Sequence, residues 1–569
     1  MTSPYDAKPW LPHYDEKVPR TLDIPSHTIH HFLEESARLH PGHTAVIFRG
    51  KEISYAELDA MANAVAAALA RDGFRKGDRA VIYMPNTPQF VILYFGIMKA
   101  GGIVIATNPL YTPRELEHQL VDCGAETVFV LSLYYDTLKK VQQTGKTKVK
   151  RIIVTNIKEY LPAHLRLLFT LLKEKKEGHR VTLQMGDVWL QDFLAAGKGA
   201  PRPGVDISPD DVALLQYTGG TTGLSKGAVG LHRNVVANVY MAQAWLTGIV
   251  EPQREVCQLA LPMFHVYGMI GGLLLTVALT GTLVLIANPR DQEDVLGSIN
   301  KYKPTLFPGV PTMYVAINNN PDVAAGKYDI KSIRVCLSGA APLLQETKER
   351  FEALTGGKLV EAYGLSESFV ATHANPIKGL NKPGSIGMPL PNVEVRVVDP
   401  EDGSKEMGLN EVGEMIIKSP TIMKGYWQMP TETANTLRDG WLYTGDIVRM
   451  DEDGYFYIED RKKDMIIAGG FNIYPREVEE VLAQHPAVLE VAVAGVQDPK
   501  RGETVKAWIV KRPGDNTTAE QIVEWSKGQL AAYKYPRQIE FIDELPKTIV
   551  GKVLKRELIR MEKEKAGKK

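Results

Sequence analysis

The chain has 569 residues, too many for one hydrophobic core, so at least two domains are expected. Its 67 basic and 67 acidic side chains balance, which gives no indication of nucleic-acid binding, and 44% hydrophobic residues are typical of a soluble globular protein. The three cysteines are scattered and form no CxxC pair, and no apolar stretch follows Met1, so we expect a reduced, cytoplasmic protein without a disulfide framework or a secretory signal.

The first part of the chain alternates predicted helices and strands. Apolar residues at helical spacing follow Ser54 and stop at Gly73, Thr87-Pro88 is typical of a helix start, and Thr112-Pro113-Arg114-Glu115 is a capping-box pattern whose helix ends at Gly124. The predicted strands between these helices are 80–84, 103–106, 128–131 and 152–155. Strands separated by single helices predict right-handed crossovers and a largely parallel sheet, hence an α/β fold.

Residues 156–199 interrupt this alternation. Leu161, Leu165, Leu168 and Leu172 would share one helical face, with Arg166 and three lysines nearby. Two interpretations stay open: an ordinary amphipathic helix packed on the domain, or a surface helix that rests on a membrane and meets apolar substrates there.

The apolar run from Leu259 to Ala287 is long enough for a membrane span. Its glycines, and the β-rich end at 282–287 closed by Asn288-Pro289, favour a buried helix followed by a core strand. The rival hypothesis is a membrane transport protein anchored by Met269 to Ala287.

A loop rich in glycine and threonine follows the predicted strand 212–215. It offers unobstructed backbone N–H groups, hydroxyls and one cation, Lys226, which are the components that a triphosphate needs. The residues concerned are Thr218, Gly219, Gly220, Thr221, Thr222, Gly223 and Lys226. The spacing is not a Walker A motif, because Ser225 precedes the lysine and Gly227 follows it.

After about residue 460 a basic cluster introduces a compact segment with its own helices and strands. We therefore predict two domains, 1–460 and 461–569.

Together with this loop, four further motifs resemble the adenylate-forming superfamily of acyl-CoA synthetases, firefly-type luciferases and adenylation domains of peptide synthetases. They are Ser338–Leu343, Glu361–Ser368 (family pattern YGxTE), Tyr443–Asp446 with Asp460–Asp464, and Pro546–Lys552. The chain departs from the family at Ser225, where proline is usual, and at Ser366, where threonine is usual. The resemblance implies a large N-terminal domain with parallel α/β subdomains and a small β-subdomain, followed by a small, mobile α+β C-terminal domain.

The resemblance also implies roles for individual residues. Lys552, Glu367 and Thr221 would be catalytic, and Glu367 and Thr221 would hold Mg²⁺. Besides the loop, the nucleotide-binding residues would be Gly339, Ala340, Ala341, Glu361, Ala362, Tyr363, Gly364, Ser366, Asp446 and Arg461, with Tyr363 stacking on adenine and Asp446 accepting the ribose hydroxyls. Lys463 would be the hinge between two rotational states of the small domain, and Gly469-Gly470 would admit a pantetheine arm, although a strand-end turn explains that pair almost as well.

The acyl pocket is expected around His265, Tyr267 and Gly268, where glycines would leave room along an apolar wall, although His265 is equally well explained as a core histidine.

The chain most resembles long-chain fatty-acid–CoA ligases, which use ATP, Mg²⁺ and coenzyme A. The alternatives are an aryl-acid ligase of the 4-coumarate type, a ligase that loads a carrier protein, and a non-catalytic nucleotide-binding module. The expected partners are the fatty acid, ATP and CoA but no nucleic acid, and the resemblance also allows a homodimer.

Overall fold

The computed structural model describes residues 3–218, 225–461, 464–468, 471–498, 502–530, 533–548 and 553–566. The first elements are α1 (His31–Leu39), β1 (Thr44–Phe48), β2 (Lys51–Ser54), α2 (Tyr55–Arg71), β3 (Arg79–Tyr83), α3 (Pro88–Lys99), β4 (Ile103–Thr107), α4 (Pro113–Cys123), β5 (Thr127–Leu131), α5 (Tyr135–Gln143), β6 (Arg151–Thr155), α6 (Ala163–Leu168), β7 (Val188–Trp189) and α7 (Leu190–Gly197). The middle of the chain forms β8 (Val212–Thr218), β9 (Lys226–Leu231), α8 (His232–Trp245), β10 (Val256–Leu259), α9 (Leu275–Ala278), β11 (Thr282–Leu285), α10 (Gln292–Tyr302), α11 (Pro311–Asn318), α12 (Pro321–Ala324), β12 (Val335–Ser338), α13 (Gln345–Thr355), β13 (Lys358–Leu365), β14 (Val370–Ala374) and β15 (Met388–Pro389). The last elements are β16 (Glu394–Val398), β17 (Gly413–Lys418), α14 (Pro430–Thr436), β18 (Leu437–Arg438), β19 (Trp441–Met450), β20 (Phe456–Arg461), β21 (Ile466–Ala468), β22 (Phe471–Ile473), α15 (Pro475–Leu482), β23 (Val488–Asp498), β24 (Gly502–Lys511), α16 (Ala519–Lys527), β25 (Gln538–Phe541) and α17 (Lys555–Ala566).

The first sheet confirms the predicted parallel α/β arrangement. Its strand order is β7-β6-β5-β3-β4-β8-β9, and every pair is parallel except β8 with β9. Thr112 forms the predicted capping box with Glu115, Ser54 forms a further one with Glu57 at the start of α2, and Gly124 ends α4 in the left-handed region at φ 59°. Thr87 precedes α3 as predicted, but its hydroxyl donates to the Met84 sulfur rather than capping a helix amide.

A second sheet carries two of the predicted motifs. The sets β10-β11-β1-β2 and β12-β13-β14-β15 are joined by bridges from Leu306 to Cys257 and to Val335. Because β12 ends at Ser338 and β13 runs into Leu365, this arrangement brings the Ser338–Leu343 and Glu361–Ser368 motifs to the same end of two parallel neighbouring strands.

Two smaller sheets complete the chain. An antiparallel sheet of order β16-β17-β19-β18, with β20 on β19, is the predicted β-subdomain. The C-terminal sheet, β22-β21-β24-β23 with β25 on β24, packs with α15 to α17 around its own apolar clusters, so this part is α+β as predicted.

The apolar run near residues 259–287 is a buried helix followed by a core strand. A π-helical segment, Tyr267–Leu274, continues into α9, and β11 is fully buried. In the described part of the chain, no helix has both the length and the apolar character required to cross a membrane.

The predicted amphipathic helix within 156–199 is broken into short pieces. A 3-10 turn at Ile157–Tyr160 precedes α6, which passes into a π-helical turn at Phe169–Lys173. Leu161 packs against the main core, but a set of neighbouring leucines faces outward, with exposures of 60% (Leu167), 50% (Leu168), 71% (Leu171) and 68% (Leu172). Of the predicted face, Leu161 and Leu165 are half-buried whereas Leu168 and Leu172 are exposed, so the protein covers that face only in part and both interpretations stay predictions.

Candidate active site

The predicted phosphate loop connects β8 and β9. Thr218 lies opposite Lys226 in this antiparallel pair, and its hydroxyl donates to the Lys226 carbonyl at 3.4 Å. The Lys226 ammonium forms an ion pair with Glu432. Gly219, Gly220, Thr221, Thr222 and Gly223 lie outside the described residues.

Glu367 lies close to this hairpin because a third segment contacts both. The Glu367 carboxylate accepts a hydrogen bond from the Tyr426 hydroxyl at 2.8 Å, and its carbonyl accepts one from the Met423 amide at 2.8 Å. The same segment forms backbone hydrogen bonds with β9, including Trp427 N to Gly227 O at 2.7 Å. Residues 423–427 therefore connect β9 with Glu367 through one antiparallel bridge and these hydrogen bonds, which keeps the loop lysine and Glu367 in one neighbourhood.

The Glu367 turn, Ser366–Ser368, is followed by unusual backbone. Phe369 has φ 49° and Val370 φ 106°, although neither is glycine. A β-branched residue at positive φ is strained, and such strain clusters at functional sites. Gly364 is required here, because a Cβ at that position would collide with the Val370 carbonyl.

Tyr363 and Asp446, from two different motifs, are in direct contact. The Tyr363 hydroxyl donates to Asp446 Oδ2 at 2.5 Å, and Asp446 is only 1% exposed. The Tyr363 ring is buried with its edge against His373, at a centroid distance of 5.8 Å. Arg461 pairs with Asp446 between β19 and β20, and the Arg461 side chain is outside the described part of the structure.

The Ser338–Leu343 motif is tied to the Glu361 motif. Glu361 Oε1 accepts the Leu343 amide at 3.1 Å, and burial raises the pKa of Glu361 to about 7. Gly339 donates to the Gly309 carbonyl, and the exposed Ala340 has φ 69°, a further non-glycine residue in the left-handed region. Ala341 and Ala362 are half-buried beside them.

The predicted acyl-pocket residues border this motif. The Tyr267 hydroxyl donates to the Leu337 carbonyl at 2.6 Å, and a Cβ on Gly339 would lie 3.2 Å from the Tyr267 ring. Burial lowers the pKa of His265 to about 4, so its imidazole is neutral near pH 7. The predicted open space along the glycines is wrong: a Cβ at Gly268 would strike the Pro262 carbonyl, and one at Gly272 the Leu259 side chain. These glycines permit close packing instead.

Four residues with predicted roles in the small domain lie outside the described part of the chain. They are Lys463, Gly469, Gly470 and Lys552. Next to them, Val553 forms an antiparallel bridge with Lys547, and Leu554 N donates to Pro546 O at 2.8 Å.

The surroundings of Glu367 fit a magnesium ion. The described residues contain no cluster of three or more histidine, cysteine or acidic side chains that could hold a metal by themselves. Mg²⁺ commonly uses one or two carboxylates together with substrate phosphates, and Glu367 is a half-buried oxygen donor in the same neighbourhood as the loop lysine.

Sequence reasoning missed Tyr426 and Glu432. They are 59 residues from Glu367 and 206 residues from Lys226, respectively, and neither belongs to a motif with a spacing that predicts chemistry. Gly425, directly before Tyr426, indicates at most a turn. The contacts of Tyr426 and Glu432 therefore become apparent only in the folded structure.

The two-domain fold, with a nucleotide-loop hairpin and the paired Tyr363 and Asp446, defines a class of AMP-binding enzymes. A family model described as "AMP-binding enzyme" matches residues 33–427, and one described as "AMP-binding enzyme C-terminal domain" matches residues 477–552. The chain belongs to this AMP-binding enzyme family.

Relatives with specific names cover almost the whole chain. A protein of Bacillus subtilis (strain 168) named "Long-chain-fatty-acid--CoA ligase" is 44% identical over 98% of both chains. The ATP-bound crystal structure of MatB from Rhodopseudomonas palustris superposes with a TM-score of 0.81 at 31% identity, over 94% of this chain and 99% of that one. The anthranilate CoA ligase AuaEII in complex with anthranoyl-AMP gives 0.83 at 28% identity, over 96% and 99%.

Proposed function

We propose that this chain is an AMP-forming acid–thiol ligase that converts long-chain fatty acids to acyl-CoA through an acyl-adenylate. The observation that carries the proposal is the 44% identity, over 98% of both chains, with a protein named long-chain-fatty-acid–CoA ligase. The neighbourhood of Lys226, Glu367 and the Tyr363–Asp446 pair supports the nucleotide half of the reaction.

In the first half-reaction a carboxylate oxygen attacks the α-phosphorus of ATP. The acyl–O–P bond forms, the bond to the β-phosphate oxygen breaks, and pyrophosphate leaves. Catalysis of such a step consists mainly of positioning and of neutralising the charge that accumulates on the phosphates.

Different residues would position the nucleotide and neutralise the charge on its phosphates. Lys226 and the backbone amides of residues 219–223 bind phosphates, Tyr363 and Asp446 hold the adenosine, and Glu367 with Thr221 holds Mg²⁺, which when bound supplies positive charge against the phosphate oxygens. Lys552 neutralises the carboxylate and α-phosphate from the small domain, since a long flexible ammonium suits that task.

In the second half-reaction the CoA thiolate attacks the acyl carbonyl and AMP leaves. The small domain, which we place at residues 461–569, rotates about Lys463 to withdraw Lys552 and present Gly469-Gly470 to the pantetheine arm.

The residues expected to border the acyl chain carry no charge. They are the neutral imidazole of His265 and the half-buried Tyr267. A site of this kind favours aliphatic chains, at about 0.8 kcal/mol per buried CH₂. An aryl acid is the second candidate, because the structural relative AuaEII is an anthranilate CoA ligase.

Peripheral contact with a membrane belongs to the same proposal. The exposed leucines 167, 168, 171 and 172, here called the leucine surface, adjoin Arg166, Lys173, Lys175 and Lys176. An apolar strip flanked by cations suits an anionic bilayer, which is also where long-chain acids partition. The enzyme would then be cytoplasmic and rest on the inner face of the membrane; a homodimer stays a prediction.

The test incubates the purified protein with ATP, Mg²⁺, CoA and either palmitate, 4-coumarate or anthranilate. Chromatography should show palmitoyl-CoA and AMP in equal amounts, with little product from the aromatic acids. Product from 4-coumarate or anthranilate alone would support the aryl-acid alternative. Palmitoyl transfer to a holo carrier protein but not to CoA would support a carrier-loading ligase.

A further inference from the structure

Tyr426 contacts two charged residues of the nucleotide site, Glu367 and Lys226. Its hydroxyl donates to Glu367 Oε1 at 2.8 Å, and its ring lies under the Lys226 ammonium, 5.4 Å from the ring centroid. Neither contact follows from the motifs, since Tyr426 lies outside all of them.

The backbone around Tyr426 is fixed from two sides. Hydrogen bonds between the preceding residue, Gly425, and Val229 and between Trp427 and Gly227 attach the segment to β9. On the other side, the Tyr426 amide donates to Thr433 Oγ1 at 2.9 Å, and that hydroxyl donates to the Met429 carbonyl at 2.8 Å. Tyr426 is therefore a rigid support on which two flexible, charged side chains rest.

We propose that Tyr426 is a positioning residue of the nucleotide site: its hydroxyl fixes the Glu367 carboxylate for the metal, and its ring fixes the Lys226 ammonium for the phosphates. This inference rests on the proposed function, because it takes the role of Glu367 toward Mg²⁺ from there. The segment 423–427 thereby becomes part of the nucleotide site.

The physical reason is rotamer entropy. Ordering a glutamate or lysine side chain costs about 1.5–2 kcal/mol, which nucleotide binding would otherwise have to supply. A hydrogen bond to the carboxylate oxygen and a cation–π contact order both side chains before the ligand arrives. The Tyr426 hydroxyl is the donor in this contact and the Glu367 carboxylate is the acceptor.

Glu432 completes the arrangement. It pairs with Lys226, while Tyr426 donates to Glu367, so the lysine and the metal-ligand carboxylate each have a separate partner. The phosphates of an incoming nucleotide would replace Glu432 as the partner of Lys226, whereas the hydrogen bond from Tyr426 to Glu367 would remain.

The test is Tyr426→Phe, which keeps the ring and removes the hydroxyl. The affinity for Mn²⁺ in the presence of ATP, measured by electron paramagnetic resonance, should fall about 10-fold, as is common when a partner of a metal ligand is lost. The Mg²⁺ concentration for half-maximal pyrophosphate release should rise by a similar factor, and kcat at saturating Mg²⁺ should fall less.

Tyr135→Phe is the matched control, because that hydroxyl also donates to a carboxylate, Asp187, at 2.5 Å, but in a region that carries none of the site residues. It should leave both metal readouts at the wild-type values, and melting curves should show that both variants are folded. Glu367→Gln serves as the reference for loss of the metal ligand itself.

An unchanged Mn²⁺ affinity in Tyr426→Phe, with a loss in Glu367→Gln, would overturn the inference and leave the proposed function intact. If neither variant changed Mn²⁺ affinity, the inference would fall together with the role given to Glu367. A wild-type protein that released no pyrophosphate with any fatty acid would refute the proposed function, and the Mn²⁺ measurement would still decide the role of Tyr426.

Discussion

The carboxylate of Asp446 is held in place before any nucleotide arrives. It is 1% exposed and receives the Tyr363 hydroxyl at 2.5 Å. A fixed acceptor of this kind suits ribose hydroxyls, because a hydrogen bond to a charged group contributes more than one between neutral groups.

Asp446→Asn should therefore weaken ATP binding. We expect kcat/KM for ATP to fall about 10- to 100-fold, equivalent to roughly 1.5–3 kcal/mol for a lost charged hydrogen bond. The measurement is pyrophosphate release against ATP concentration. Asp329→Asn, at an exposed ion pair with Lys303, is the control, and a variant of Asp446 with wild-type KM and kcat would contradict the assignment.

Glu361 predicts a pH dependence of stability. Its pKa rises from 4.5 to about 7 on folding because the carboxyl is buried. The folded state thus holds the proton more tightly than the unfolded state, and the stabilisation present at acid pH is lost as pH rises from about 4.5 to 7, by about 3 kcal/mol at most.

Glu361→Gln removes this titration. The melting temperature of the variant relative to wild type should increase from about pH 5 to about pH 8, measured without nucleotide by calorimetry. If the difference in melting temperature between Glu361→Gln and wild type stayed constant across this range, burial would not raise the pKa of Glu361.

Motifs could identify candidate site residues, whose roles stay predictions. Tyr363 and Asp446 were both predicted from motifs, and the fold brings them together across 83 positions. Tyr426 and Glu432 could not be predicted, because their partners are distant in sequence and a single aromatic or acidic residue has no characteristic spacing. The backbone strain at Phe369 and Val370 could not be predicted from the sequence either, since β-branched and aromatic residues rarely adopt positive φ.

Among the elements, helix ends were predictable because capping is local. The capping boxes at Ser54 and Thr112 need only four consecutive residues. The segment 156–199 was less predictable, because leucine periodicity gives a shared face but not whether the protein covers that face. The glycines after Tyr267 were misjudged for a related reason: absence of a side chain permits open space and close packing alike.

The leucine surface predicts lipid binding. Changing Leu171 and Leu172 to aspartate should lower binding to phosphatidylglycerol vesicles at least about 10-fold, because each buried leucine contributes about 1.5–3 kcal/mol. Vesicle co-sedimentation measures it. Leu380→Asp, at a leucine 56% exposed elsewhere, should bind as wild type does, and equal binding by all three proteins would remove the membrane contact from the account.

At the scale of the whole molecule, a large N-terminal and a small C-terminal domain were predictable from motif order, and the two family models match residues 33–427 and 477–552. The boundary at residues 460 and 461 stays a prediction, as does the rotation about Lys463. A rotation is a property of two states, and neither composition nor motif spacing contains information about their relative energies.

Lys552→Ala should separate the two half-reactions. We expect acid-dependent pyrophosphate release to fall at least about 100-fold, as when a preorganised charge is removed from a transition state. Thioester formation from preformed acyl-adenylate and CoA should stay within about 3-fold of wild type, since the proposed rotation would withdraw the lysine in that step. Equal losses in both assays would contradict the division of labour between the domains.

The most direct test of the central claim is ATP–pyrophosphate exchange by the wild-type protein across acids of different chain length and ring content. Exchange needs neither CoA nor domain rotation, so it reports acid activation alone. The account predicts exchange that strengthens with aliphatic chain length and is weak with aromatic acids. Exchange that is absent with every acid, or strongest with a compact aromatic acid, would contradict it.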